Sequence, residues 1–447
     1  MGSAGRRMYP RRTFDVDRKK SLAPTPTSIP QPRQGASPDP DRLYDRSYIL
    51  AIVVQTLATL ANAILAHYAR WIQFLDGTVS DVGWIIGIGA LSGVFLRPWL
   101  GQLINRIGAR HTWALGCLVF ASGSIGSLFL HQLDWRIYFF RSCIVVGAAL
   151  AFASSLTYVT QRYPIHRRTE AIGILGAGGF VGMMFGPLIG DLLLSAEERT
   201  RGDFAALFVT AGVAIVIPIV LIALMEPRPP DNRSTPVRLR EFILTIRRHW
   251  PGTILLVCVV FGMCMTVPFG FLTAYIDEVG LATFAPSPVA IFYLSYAIWG
   301  LVLRVGMRRV PDRRGRRKVL ISGLVLMSAG MFCFRLVDPT NGWWLVVPGL
   351  ICGSGHSFIY HTMTALSLDR FPDEVRGTGS SLSLMALELG FVAGAPPLGL
   401  IAKHFGYPAL FTTVGCACSV AAAIYTAVTI PIWRERWQAR RAESTSH

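Results

Sequence analysis

From residue 47 onward the chain is a succession of apolar runs separated by short polar turns. Each run is roughly 17–25 residues long, enough to cross a bilayer as a helix. The runs fall at 47–69, 82–104, 112–131, 136–160, 170–194, 204–225, 252–276, 288–308, 318–336, 343–366, 378–402 and 408–432. Apolar residues are continuous within them, with no two-residue alternation, so helices are predicted over barrel strands. The edges at 288–308 and 343–366 are the least sharply marked. Residues 1–46 are rich in Pro, Ser and Arg and are expected to form a disordered basic tail. No apolar core follows the early arginines, so no signal peptide is expected there.

Composition agrees with this pattern. The chain is 52% hydrophobic and only 15% charged, against about 25% charged in soluble domains, which excludes an enzyme surrounded by water. The net charge of +17 comes from 43 Lys+Arg against 26 Asp+Glu. These cations cluster in alternate connections: Arg106 and Arg110; Arg162, Arg167 and Arg168; Arg228 to Arg248; Arg308 to Lys318; and Arg434 to Arg441. Asp76, Asp81, Asp134, Asp203, Asp277 and Glu278 occupy the others. That is a positive-inside signature and not a nucleic-acid surface, so a multi-pass inner (plasma) membrane protein with both termini cytoplasmic is predicted. The eight cysteines lie inside apolar runs with no CxxC, and read as small hydrophobes without metal or disulfide.

The Pro- and Arg-rich segment 226–250 divides the chain into halves at 47–225 and 251–432, with a tail at 433–447. The halves repeat. Arg97, Arg106, Gly108 and Arg110 align with Arg304, Arg313, Gly315 and Arg317. Arg168, Gly182 and Gly186 align with Arg376, Gly390 and Gly394 at nearly the same offset. A duplicated six-helix half is the mark of a two-bundle transporter. The fold class expected is an all-α membrane protein with twelve transmembrane helices in two pseudo-symmetric six-helix bundles.

The segment Gly101…Asn105-Arg106-Ile107-Gly108-Ala109-Arg110, with its repeat through Asp312, Arg313, Gly315 and Arg317, resembles the G-x-x-x-D-R-x-G-R loop signature of the major facilitator superfamily. Gly182-Met183-Met184-Phe185-Gly186-Pro187-Leu188-Ile189-Gly190 looks like the GxxxGPxxG element of that superfamily's proton-coupled exporters. Arg97-Pro98 before the loop and Gly353-Ser354-Gly355-His356 in the tenth helix are similar to the drug- and sugar-efflux branch. The resemblance covers 47–432 and implies a monomeric permease with a gating loop. Asn105 stands where the family has an acidic residue near the start of the eleventh helix. It keeps an acceptor there but loses the charge term with that helix's N-terminus.

Within the spans, Glu388 falls near the bilayer midplane, about twelve residues into its helix. It reads either as a protonated carboxyl bonded to a neighbouring helix or as a site exchanging a proton for a cationic or polar substrate. Gly178, Gly182, Gly186 and Gly190, with Pro187, form a stripe suited to close helix packing or to a bending seam between the moving bundles. Gln55, Thr59 and Asn62 share one polar face of the first helix, suited to a cavity or a partner helix. Arg141 reads as a family-type exporter arginine or as a side chain snorkelling outward. His67 and Arg70 are expected at the outer interface, and Asp277 and Glu278 in a solvated outer loop. His356 and Tyr360 share a helix face while His361 points elsewhere, so the histidines are not a metal pair. Tyr293, Tyr296 and Trp299 suit either a pocket or the core.

No phosphate-cradling loop, GxSxG or HExxH is present, so neither an enzyme nor an ATP-driven pump is expected. The expectation is alternating-access transport of a small molecule with no cofactor, most simply proton-coupled efflux of a drug, sugar or metabolite. Proton-linked uptake or facilitated diffusion is the alternative, and Asn105 keeps open a non-transporting sensor on the same fold. No nucleic-acid partner is expected.

Overall fold

The computed structural model describes residues 44–445 except 164, 196–197, 228–238, 282–286, 308–309 and 373–374; at 165–169, 312, 376 and 430–445 only the backbone is described. The expected tail at 1–46 therefore lies almost wholly outside the described residues. Among them there is no strand. The first half contains α1 (Arg46–Phe74), α2 (Val79–Ile107), α3 (Ala109–Phe129), α4 (Trp135–Arg162), α5 (Ile165–Leu193) and α6 (Arg201–Ala223). The second contains α7 (Ile254–Glu278), α8 (Pro288–Gly306), α9 (Arg316–Leu336) and α10 (Val346–Leu368). A final stretch, Arg376–Thr445, breaks at Gly406 (φ 76°, ψ 170°) into α11 (376–405) and α12 (407–445).

Ten stretches among the described residues are long and apolar enough to cross a membrane. The expected twelve crossings thus rest on ten by composition and two by geometry: the break at Gly406 makes one stretch into two, and α10 is a helix of 23 residues. Polar residues on α10, including Ser354, His356, Ser357, His361, Thr362 and Thr364, are why its apolar signal is weak.

Helix starts follow from local chemistry. The Asp45 carboxylate accepts from the Tyr48 amide at 2.8 Å and caps α1. Thr78 with Asp81, and Thr200 with Asp203, form capping boxes at α2 and α6. The helix breaks at Gly108 (φ 86°) and Gly315 (φ 91°) fall at matched places of the two halves, both in the left-handed region that glycine tolerates.

Packing repeats in the same way. In the first half α1 lies on α5 and α6, α2 on α4, and α3 on α4 and α6; in the second, α7 lies on α11, α8 on α10, and α9 on α10 and α12. The halves meet along α2 with α11 and along α5 with α8, each the repeat-mate of the other, and again where α1 meets α7. Two boundaries differ from expectation. The connection 226–250 contains a helix, Leu239–Arg248, that buries Phe242 and Ile246. The tail 433–447 continues α12 as helix to Thr445, because no Gly or Pro interrupts its Arg-, Glu- and Gln-rich sequence.

The two halves diverge toward the side that carries the arginine-rich connections, called here the basic side. At the other end, the far side, a Cβ on Gly83 of α2 would run into the Ala395 carbonyl of α11, and one on Gly87 would lie 2.7 Å from Pro396. About five turns further along those same two faces stand Gly101 and Gly377, and a Cβ on either would meet nothing within 4 Å among the described residues.

Candidate functional site

On the far side, one network ties the halves together. Arg70 of α1 forks onto Asp277 of α7, with Nε to Oδ2 at 2.9 Å and Nη2 to Oδ1 at 2.8 Å. Its Nη1 donates to Asp191 of α5 at 2.7 Å, and Arg199 forks onto the same Asp277 at 2.6 and 3.0 Å. The Ser287 hydroxyl at the start of α8 bonds to Asp191. Arg70 Nη1 also lies 3.0 Å from His67 Nδ1, which leaves His67 Nε2 to donate to the Pro187 carbonyl at 2.8 Å. The expectation of a solvated loop at Asp277 is therefore wrong, as is that of interfacial positions for His67 and Arg70. Both side chains are fully buried, because two arginines facing two carboxylates compensate one another's desolvation. Glu278, the last residue of α7, is exposed, as expected.

Midway along the helices Glu388 of α11 meets Arg97 of α2, whose Nε lies 3.0 and 3.1 Å from the two carboxylate oxygens while Nη2 pairs with Oε1. A lone charge at this depth costs about 2.5–3.5 kcal/mol, and pairing is what allows it. Sequence reading set Arg97 in the gating signature and left Glu388 without a counter-charge, so it missed this pair. The only available signal was that a carboxylate so deep needs an intramembrane cation. Gly93, one turn before Arg97, makes the room: a Cβ there would lie 3.0–3.1 Å from the Glu388 carboxyl atoms. One turn further, Gly89 admits Arg141, whose guanidinium lies over the Tyr68 ring at 4.9 Å. Arg141 is therefore not snorkelling outward; it is held across a helix pair by an aromatic face.

The same layer continues into the second half. Arg304 of α8 lies over the Phe180 ring at 5.3 Å and within electrostatic reach of Tyr360, His356 and His361 on α10, while Arg97 also reaches Tyr360. His356 bonds to the Tyr296 hydroxyl and stacks edge-on to Phe261 at 5.2 Å. Tyr293 and Tyr296 are core residues, whereas Trp299 is 41% exposed with its Nε1 bonded to Ser354. On α1, Gln55 donates to Thr59 at 3.2 Å but its Oε1 is buried without a partner among the described residues, and Asn62 is exposed.

The glycine stripe lies inside one half. Gly178, Gly182, Gly186 and Gly190 face Thr56, Leu60, Ala63 and His67 of α1, and Cβ atoms on them would strike α1 backbone or side chains. It packs α5 on α1 within the first bundle, and α5 stays helical through Pro187.

The gating signature is mostly helical: α2 runs through Gly101, Asn105 and Arg106 to Ile107, and only Gly108 breaks it. Asn105 is half-buried and has no hydrogen-bond partner among the described residues. Arg110 donates to the Met225 and Ala223 carbonyls at 2.8 and 3.3 Å and so caps the end of α6. Arg106 and Arg313 are exposed, Arg317 is half-buried, and the side chain of Asp312 lies outside the described residues.

Two bundles related by an internal repeat, a closed far side, an open basic side and a charged layer between them define a membrane transporter fold. The sequence profile of the Major Facilitator Superfamily matches residues 47–314 and 308–444, and the chain belongs to that superfamily. The chain is 22% identical over 349 residues to Multidrug resistance protein MdtG of Escherichia fergusonii, covering 75% of this chain and 81% of the relative. It is 26% identical over 201 residues to Methyl viologen resistance protein SmvA of Salmonella typhimurium, and that match spans 44% of this chain and only 39% of SmvA. Among solved structures, the nucleoside transporter NupG superposes with a TM-score of 0.67 at 13% identity, covering 86% of this chain and 99% of NupG. The xylose transporter XylE from E. coli superposes at 0.65 and 12% identity, covering 85% and 96%. The chain thus has the fold of a superfamily of transporters, which are not enzymes.

Proposed function

We propose that the chain exports a small organic molecule by alternating access, driven by protons that bind Glu388. The Arg97–Glu388 bridge carries this reading, being a charged pair that joins the two halves between the closed far side and the open basic side. With the arginine-rich connections in the cytoplasm, the open side receives solute from within, in a monomeric inner-membrane protein with both termini inside. Protonation of Glu388 removes the charge that holds Arg97 and loosens α2 from α11. Deprotonation restores the bridge. The multidrug-resistance names of the relatives favour export over uptake.

The test uses proteoliposomes with an imposed pH gradient and a panel of dyes and antibiotics. Glu388→Gln is expected to abolish gradient-driven flux while sparing exchange of labelled for unlabelled substrate. Unchanged gradient-driven flux in that variant would reject proton coupling through this residue.

A further inference from the structure

The charges of the interior do not cancel, and the excess has one sign. The far-side network is neutral, with Arg70 and Arg199 against Asp191 and Asp277. The central bridge is neutral as well, Arg97 against Glu388. Arg141 and Arg304 remain. Neither has a carboxylate partner among the described residues, each instead lies over an aromatic ring, and Arg141 Nε is buried with no hydrogen-bond partner.

The internal repeat shows what is missing beside Arg304. Arg97 and Arg304 are equivalent positions of the two halves, and the offset that pairs Gly182 with Gly390 pairs Phe180 with Glu388. Arg97 therefore faces a glutamate on α11, while Arg304 faces, on α5, the phenylalanine that stands in the glutamate's equivalent place. A guanidinium keeps its charge in any protein environment and offers five donors in a fork that fits a carboxylate.

Resting on the transport reading above, we infer that Arg304, with Arg141 as the second guanidinium lacking a carboxylate partner among the described residues, selects solutes that carry an anionic group such as a carboxylate, attached to an apolar aromatic body. The bound anion supplies at Arg304 the charge that Glu388 supplies at Arg97. Phe180, Phe261 and Tyr360 give flat apolar faces beside that cation for the rest of the solute. This departs from the expectation of a cationic or polar substrate at Glu388, which followed from reading that carboxylate without its arginine.

The test is equilibrium binding to the purified full chain with three probes of one shape: 2-naphthoate, its neutral amide, and 2-naphthyltrimethylammonium. The carboxylate is expected to bind tightest. Arg304→Gln is expected to weaken it by about tenfold or more, as loss of a charge-assisted bond implies, and Arg304→Lys to retain part of the preference. Phe180→Glu, which completes the symmetric pair from within the chain, is expected to erase the preference for the carboxylate over the amide. Equal binding of the three probes, preference for the cation, or no binding of the carboxylate overturns the assignment. The transport reading is judged separately and falls only if no compound of any charge crosses the bilayer.

Discussion

Arg70 and Asp277, 207 residues apart in sequence, meet in a two-bond fork that joins the first helix of one half to the first helix of the other. The fork is buried on the far side, where α2 and α11 also touch. Breaking one partner of a buried pair costs about 3–5 kcal/mol, enough to repopulate a two-state equilibrium. Asp277→Asn is therefore expected to open the far side. In a cysteine-free background, Ser80→Cys lies at that seam and is 7% exposed. A membrane-impermeant maleimide added from the far side should label it faster when Asp277→Asn is also present; an unchanged rate would refute the latch.

The central bridge makes a different prediction. Arg97→Leu alone leaves Glu388 buried without its cation, whereas Arg97→Leu with Glu388→Leu leaves two apolar side chains. A buried charge stripped of its partner is destabilising by about 3–5 kcal/mol, while replacing both partners is often neutral. The double variant should thus have a higher thermal midpoint in detergent than either single one. Additive losses would mean that the two side chains do not depend on each other.

Gly101 distinguishes the conformation described here from its opposite. Its face of α2 has open space now, so Gly101→Leu should leave the thermal midpoint unaltered. In the alternating-access cycle proposed above, closure of the basic side would bring that face against Gly377 of α11, as Gly83 now meets Ala395. Turnover in proteoliposomes should accordingly collapse in Gly101→Leu while folding persists. Full turnover would mean that α2 and α11 never close on that side.

Asp45 predicts a pH dependence. Burial raises its carboxyl, but the Tyr163 hydroxyl at 2.6 Å, the Arg162 guanidinium and the Tyr48 amide outweigh burial and hold it below its ordinary 3.8. A depressed carboxyl contributes stability above its unfolded pKa and loses it as pH falls through the folded value. The thermal midpoint should drop as pH is lowered from about 5 to below 4, and Asp45→Asn should be less stable at neutral pH and flatter over that range. Parallel curves for the two proteins would exclude Asp45 as the source.

The rods and their duplication were legible in the sequence because lipid demands long apolar runs and because Arg97/Arg304 and Gly108/Gly315 recur in register. What joined the rods was not. Glu388 and Arg97 are 291 residues apart, and nothing local in either helix indicates the other. Asp277 and Arg70 likewise read as ordinary loop and interface residues until the fold brings them together. The glycine stripe was recognisable as a packing surface, but one helix cannot reveal which neighbour it receives, and that proved to be α1. Asn105, the departure from the family pattern, has no hydrogen-bond partner among the described residues.

At Gly108 the chain passes from α2 into α3 through a single residue of reversed backbone, and Gly315 does the same in the other half between α9 and the short helix Val310–Arg314. So short a hinge has no slack to take up displacement between the segments it joins. If α2 swings away from α11 as the proposed cycle requires, α3 moves with it, and through Arg110 so does the end of α6. In the transport cycle proposed above, motion begun at one seam would be handed to the outer flank of the bundle, and the thickness and stiffness of the surrounding bilayer would act as a brake on it.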